Sequence, residues 1–329
     1  SLQDLGGYKS ALQNDGVEVI TAPFYLSTDS FLEARGSEFD VIYVTRYTIL
    51  SSCIESIKRH CGSAKIILCN ADLHFLRELR AAARTRNIEL INQAKETQVN
   101  EMSMMMQADI VISYNEIEHS VIFSHSEGNI QPLACPWVVE APKRIIDPSI
   151  KRQGLSFLGS FNHPPNKEGI EWFINTVFCH LSTNINLHVY GSGMSATDKE
   201  DLTADHVYPV GFVEDIHNAF DHHKIFIAPL LSGAGIKGKV LSAAAHGIPT
   251  ILSPVAAEGT GLRNGEECLV AETVDEWEEA IHHLLNDEEL WLKISEKAQK
   301  FVIDNYSFKT GREKMRRILE SIDIYSSLP

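Results

Sequence analysis

Three glycines and two lysines crowd into seven residues of this chain, Gly233-Ala-Gly-Ile-Lys-Gly-Lys239. Residues 228–253 read as a strand, this loop, a helix stopped at Gly247, then Pro249 and a further strand. Gly233, Gly235 and Gly238 let backbone N–H groups approach a ligand closely, at a helix start that favours anions. Lys237 and Lys239 add two point charges there. A loop at the carboxyl end of a parallel strand is where open α/β sheets bind ligands. The combination suits a diphosphate; the plainer alternative is a tight turn with two solvated lysines.

Two weaker turns follow other expected strands. Gly191-Ser-Gly193 lacks the third glycine and the trailing acidic residue of a nicotinamide-dinucleotide fingerprint. The turn that opens at Gly159 and Ser160 carries Asn162, His163 and Asn166 as hydrogen-bonding groups, with Asn166 equally suited to cap the next helix.

The elements that position these turns alternate. Strands are expected at 17–21, 41–45, 65–68, 110–113, 156–158, 186–190, 224–228 and 250–253, with helices such as 75–86, 167–181 and 238–246 between them. Such alternation means α/β architecture, with doubly wound parallel sheets covered on both faces. Residues 140–154 break the pattern with two prolines and four basic residues, and read as a linker. The expected units are therefore 1–145, 146–309 and a terminal amphipathic helix in 310–329. Residues 8–13 read as a helix end before the strand at 17. A doubly wound domain normally opens on a strand and a glycine-rich turn, so either the chain is a fragment of something longer, the preferred reading, or this domain lacks its first strand.

With 29 Lys+Arg against 44 Asp+Glu, the 329 residues carry a formal net charge of −15. The acid excess falls on both halves, 13 basic against 19 acidic residues in 1–150 and 16 against 25 in the rest. Neither half is a nucleic-acid-binding module, which needs a basic face. No apolar run approaches the roughly 20 residues that span a bilayer. The six cysteines show no zinc spacing and read as reduced core thiols. Met102 and Met104–Met106 read as core filling, and the adjacent pairs His222-His223 and His282-His283 diverge too far to ligate one metal.

The turns together resemble a known family. Gly159-Ser-Phe-x-His-x-Pro-Asn166, Tyr190-Gly-Ser-Gly193, Gly211-Phe-Val213, the Pro229–Val240 loop and Ala257-Glu-Gly259 appear in the order and spacing of the donor domain of GT-B glycosyltransferases of family 4. The similarity covers most of residues 155–310. A thinner one, over roughly 40–140, links Asp72–Arg80 and Ala108–Ser113 to the acceptor domain of the same bacterial enzymes.

The resemblance implies two facing Rossmann-like domains with the active site in the cleft, a retaining reaction on a nucleotide diphosphate sugar, and neither cofactor nor catalytic metal. The Gly233–Lys239 loop, with Ala234, Ile236 and Val240, would contact the donor diphosphate and sugar. Lys237 and Lys239 would stabilise the departing diphosphate. Gly159, Ser160, His163 and Asn166, with Gly191 and Gly193, would line the donor site, Phe212 and Val213 would lie by the base, and Glu258 near the donor. His74 is a candidate for bonding the transferred sugar or acceptor, with Asp72 orienting it; alternatively Asp72 caps the following helix. Arg77, Arg80, Arg84 and Arg86 make that helix basic, either for an anionic acceptor or membrane surface or as a solvated face.

One departure matters. The family commonly carries two glutamates separated by seven residues, the second holding the ribose hydroxyls. Ala234 and Ser242 stand at those positions here. A hydroxyl does that bidentate job less well, at a cost of about 1–3 kcal/mol. The expected partners are a nucleotide-sugar donor and a glycan or lipid-linked glycan acceptor of a bacterial surface, and the expected location is the cytoplasm, either free or at the inner face of the membrane. An epimerase on the same fold and a non-catalytic nucleotide-sugar-binding domain are the competing readings.

Overall fold

A computed structural model describes residues 7–135, 137–140, 151–181 and 184–324. Two parallel sheets organise the chain. The first holds β1 (Val41–Thr45), β2 (Lys65–Asn70), β3 (Ile110–Ser113) and β4 (Leu133–Ala134), neighbours in chain order. The second holds β5 (Leu155–Leu158), β6 (Leu187–Tyr190), β7 (Val207–Gly211), β8 (Ile225–Ala228), β9 (Thr250–Leu252) and β10 (Leu269–Val270).

The second sheet runs β10-β9-β8-β5-β6-β7, every neighbour parallel. Its chain order reverses between β5 and β8, and the crevice outside the carboxyl ends of those two strands is the ligand position of such sheets. Central strands covered on both faces must be apolar throughout. Ile225, Phe226, Ile227 and Ala228 are accordingly all fully buried, and Phe157 packs with Phe173 and Trp277 in the core beneath.

The structure departs from the sequence expectations in identifiable places. Residues 17–21 form no strand: Val17 is exposed and Glu18 pairs outward with Arg35 at 2.7 Å rather than lying on a sheet. The strands β4, β7 and β10 carried no legible signal. Two of them are only two residues long, and β7 contains Pro209, which is tolerated because β7 is an edge strand. The expected linker and boundary at 145–146 lie largely outside the described residues.

The C-terminal helix Phe308–Glu320 follows Glu288–Tyr306 after a break at Ser307, whose hydroxyl accepts from Thr310 N–H. Its Ile318 is buried against Ile67, Ile112 and Cys135 of the first domain.

The two domains are also pinned through the helix His74–Thr85. Arg77 pairs with Asp72 at its own amino end. Arg80 crosses to the second domain, donating to both carboxylate oxygens of Glu258 at 3.0 and 2.9 Å and to the carbonyl of Gly233 at 2.8 Å. Arg84 reaches Glu168 at 3.1 Å. Three of the four arginines are thus held by carboxylates, two of them across the cleft. At Arg80 this replaces the reading of a solvated face, whereas Arg84 stays nearly half exposed.

These contacts differ in worth. The Arg80–Glu258 pair is mostly buried, so Arg80→Ala leaves a carboxylate short of partners and should cost about 1–3 kcal/mol. The half-exposed Arg84–Glu168 pair should contribute less than about 1 kcal/mol. Ile318→Ala, which opens a cavity between the C-terminal helix and the first sheet, should cost about 2–4 kcal/mol. Urea unfolding of the three variants measures the order, and an Arg84→Ala cost equal to that of Arg80→Ala contradicts it.

Candidate functional site

A cavity of about 510 Å³ opens where the carboxyl ends of β5, β6, β7 and β8 meet the loop 229–237. Gly159, Ser160, His163, Asn166 and Gly191 form one wall. Phe212, Val213 and Ile216 form the rim, Phe212 being 69% exposed. Gly233, Ala234, Ile236, Lys237, Lys239 and Ser242 supply the loop and the first turns of the helix Gly238–Ala245.

Close backbone approach explains the glycines. A side chain at Gly159 would strike Asn166 Cγ at 2.7 Å, and one at Gly191 would collide with the carbonyl of Gly159. Gly238 serves differently from expectation: a Cβ there would meet the Trp137 indole at 2.9 Å, so this glycine makes room for a ring from the segment after β4.

The two lysines converge on this cavity from an apolar base. Lys239 Nζ donates to Asn166 Oδ1 at 2.6 Å and lies 4.4 Å from the centre of the Phe157 ring. Lys237 is 7% exposed, and its Nζ donates to the carbonyl of Gly235 at 2.8 Å. Burial pushes Lys237 down to about 8 and Lys239, with the Lys237 charge second, down to about 7. Two ammonium groups with so few anionic partners favour a multiply charged anion. Among the described residues, no side chain lining the cavity is a carboxylate.

Asn166 does not cap its helix. His163 occupies that position at the start of Pro164–Thr176, and Asn166 instead donates to the carbonyl of Ser160 at 2.8 Å while accepting from Lys239. Val240 is fully buried in the core, facing away from the cavity. Gly193 holds a turn with φ +72°, but it is not among the lining residues.

Gly235 and Glu258 take unexpected roles. The N–H of Gly235 is consumed by Glu118 Oε1 of the first domain at 2.6 Å, and so is not free for a diphosphate. Glu258 is spent on Arg80 and lines a second cavity of about 740 Å³, beside Tyr114, Glu116, Tyr306 and Lys314. That cavity is the larger one, yet it holds neither the glycine-rich loop nor the strand reversal, and the smaller one is the candidate site.

Asp72 and His74 face the same cleft from the first domain. His74 Nε2 lies 3.5 Å from Asp72 Oδ1, and Arg46 Nε lies 4.0 Å from that oxygen. Burial acts to raise the Asp72 carboxyl, but His74, Arg77 and Arg46 outweigh it and hold it below its usual range. Asp72 does not cap the helix either. Glu101 accepts from the N–H groups of His74 and Phe75 at 3.0 and 3.1 Å, and Glu118 from that of Leu73 at 3.4 Å. Burial pushes the Glu118 carboxyl up to about 7. His163 is held below its usual range by burial first and then by Arg77, with Lys239 and Arg46 acting the same way.

Sequence reasoning missed Glu118, Glu101, Arg46 and Trp137, which act through contacts distant along the chain. Arg46 alone left a local trace in the structure: it ends β1 with φ +74°, a strained conformation for a non-glycine residue.

The family model described as glycosyl transferases group 1 matches residues 152–287. A Klebsiella pneumoniae protein described as an uncharacterized 44.6 kDa protein in cps region is 28% identical over 126 residues. That alignment covers 35% of this chain and about a third, 32%, of the relative. Among solved structures, Anabaena Alr3699/HepE in complex with UDP-glucose superposes with a TM-score of 0.75 at 13% identity, over 96% of this chain and 89% of that one. Sucrose-phosphate synthase from Thermosynechococcus elongatus gives 0.70 at 14% identity, over 93% and 81%. A glycosyltransferase from Rickettsia africae gives 0.69 at 12%, over 98% and 89%. The chain has the GT-B fold of two parallel-sheet α/β domains, and residues 152–287 of its second domain match the model of the group 1 glycosyl transferases.

Proposed function

We propose that this protein transfers a sugar from a nucleotide diphosphate donor to an acceptor, with retention at the anomeric carbon and without a catalytic metal. The observation that carries the proposal is the pair Lys237 and Lys239 on a glycine-rich loop at the strand reversal, in a cavity free of lining carboxylates. A hard divalent cation binds through oxygen ligands, above all carboxylates. Here the lysines supply the positive charge that such an ion would bring to a departing diphosphate.

Retention fits the state of the carboxylates. An inverting enzyme needs a general base with a pKa near its operating pH. Asp72 is held low by its cationic neighbours, and the better-tuned Glu118 has its oxygens committed to Gly235, Leu73 and Ser113. We therefore have the acceptor hydroxyl attack from the face the diphosphate leaves, with His74 bonding the sugar or acceptor and Asp72 orienting it. The acceptor we propose is a bacterial surface glycan at the cytoplasmic face of a membrane, on the match to a protein of a cps region. No helix among the described residues is long and apolar enough to cross a membrane.

Calorimetry against nucleoside diphosphates and their sugars tests the donor site, and silence toward all of them sinks the proposal. Anion binding needs both lysines charged, and their free values near 7 and 8 mean that protons must be taken up on binding above pH 7. Affinity should fall at least tenfold between pH 6.5 and 9, with proton uptake visible as a buffer-dependent heat. Lys239→Ala should lower kcat by about 100- to 1000-fold; unchanged turnover removes its leaving-group role. A product assay that resolves the anomer of the new glycoside, an epimer and free sugar separates transfer with retention from the competing chemistries.

Trp137 provides an independent optical report. Of the four tryptophans, Trp277 and Trp291 are buried and Trp172 packs against the same core, whereas Trp137 lines the cavity and is 41% exposed. UDP should quench the intrinsic fluorescence of the wild type, and Trp137→Phe should abolish the change.

A further inference from the structure

A cluster of nitrogen and oxygen donors lies behind the rim of the cavity, away from the lysines. His217 opens the short helix His217–Phe220, Asp221 follows it, and His246 ends Gly238–Ala245. His217 Nδ1 lies 3.0 Å from Asp221 Oδ2, and His246 Nδ1 lies 2.9 Å from Asp221 Oδ1. One carboxylate thus faces two imidazole nitrogens, one on each oxygen. The three side chains offer ligand atoms that all lie within 4.8 Å of one another. The imidazoles meet edge to face, 4.5 Å between ring centres, with Phe220 against His246 at 4.9 Å.

We propose that His217, Asp221 and His246 bind a divalent transition-metal ion, and that zinc is the ion their donor set suits. Zinc holds imidazole nitrogen and carboxylate oxygen at about 2.0–2.2 Å, which sets neighbouring ligand atoms roughly 3.3 Å apart in a tetrahedron. The observed separations of 2.9 and 3.0 Å fall on different oxygens of Asp221, and the ligand atoms lie within 4.8 Å of one another, so binding draws the exposed side chains of His217 and Asp221 inward. Two imidazoles with one carboxylate select zinc, cobalt or nickel over magnesium or calcium, whose sites are built from oxygen.

Binding through Nδ1 places each ring proton on Nε2 and exchanges the two N–H···O bonds for metal bonds. The side chain of His246 is 4% exposed, against 48% for His217 and 32% for Asp221. One side of the cluster is therefore open for entry and for a water as fourth ligand. The guanidinium of Arg152 also bears on Asp221 and His246, and its charge opposes a second cation. The site accordingly belongs with exchangeable three-ligand sites rather than closed structural ones.

The position gives the ion a consequence. Ile216, on the cavity rim, immediately precedes His217, and Ser242, on the opposite wall, lies one helical turn before His246. A metal there ties the turn 211–216 to the helix of the glycine-rich loop, so two walls of the pocket become one rigid unit. It braces the pocket and takes no part in the chemistry at Lys237 and Lys239.

The chelator-stripped protein is titrated with zinc, and in parallel with cobalt, whose visible absorption reports low-coordinate nitrogen and oxygen ligands. The wild type should take up about one ion per chain with a rise in Tm. His217→Ala, at an exposed ring, should bind at least tenfold more weakly and lose the Tm rise, while its metal-free melting stays near that of the wild type. His217→Gln, which keeps a hydrogen bond to Asp221, should behave likewise and separates ligation from the loss of that bond. No uptake by the wild type, or uptake equal in wild type and both variants, overturns the proposal. In the second case the ion sits elsewhere, and the cluster is a hydrogen-bonded ion pair only.

Discussion

The carboxylate of Glu118 fixes the loop on which the site is built. It leaves the first domain, enters the cleft and accepts the N–H of Gly235 at 2.6 Å, while Leu73 N–H and Ser113 Oγ complete its partners at 3.4 and 3.3 Å. A buried carboxylate is costly unless its oxygens are satisfied, and here the partners come from both domains. Separation of the domains therefore removes the Gly235 contact and leaves only those to Leu73 and Ser113. Arg80 adds a second clasp on the same loop by holding the carbonyl of Gly233. Between these two contacts the backbone at 233–235 has little freedom, and the lysines that follow inherit a defined position.

That constraint explains where charge sits in the chain. A net charge of −15 makes the surface unattractive to anions at large. The acidic residues close to the cleft are neutralised locally: Asp72 by Arg77 and His74, Glu258 by Arg80, Glu101 and Glu118 by backbone amides. What remains without a carboxylate in direct contact is Lys239, whose partner is the neutral Asn166, and Lys237, whose partner is a carbonyl and on which Glu258, Glu118 and Asp72 act only at longer range. An anion entering the cavity meets two lysines whose charged forms it stabilises, in a medium less polar than water, where each charge counts for more.

The glycine-rich loop was legible in the sequence because its information is local: seven consecutive residues state the turn, the helix start and the charge. The strands β1, β2, β3, β5, β6, β8 and β9 were legible for the same reason, as short runs rich in apolar and β-branched residues. The strand expected at 17–21 failed because an apolar run does not reveal whether a sheet edge is there to receive it. Glu118 was invisible for the opposite reason. Its partner Gly235 lies 117 residues away, and a lone glutamate in a helix reads as a solvated side chain. The arginines of His74–Thr85 were noticed as a patch, but their direction depended on Glu258 and Glu168, which only the domain packing brings opposite them.

Ala234 and Ser242, at the positions where the resembling family carries glutamates, both line the cavity, so their effect falls on the ligand directly. Removing two carboxylates beside two lysines leaves the charge for a diphosphate undiluted, which strengthens the long-range part of recognition. It also removes acceptors that would be aligned with ribose and sugar hydroxyls, and hydroxyl contacts are what reject close analogues. The apolar surface of the cavity then carries more of the short-range recognition. Trp137 packs on Gly238, one turn before Ser242, and Phe212 stands exposed on the rim. Aromatic faces accept planar bases and the C–H faces of sugars with little regard to hydroxyl pattern. Affinity resting on two cations and two rings is broad by construction. On the proposed function, selectivity for one sugar then falls to the first domain, where His74 and Arg46 lie around Asp72.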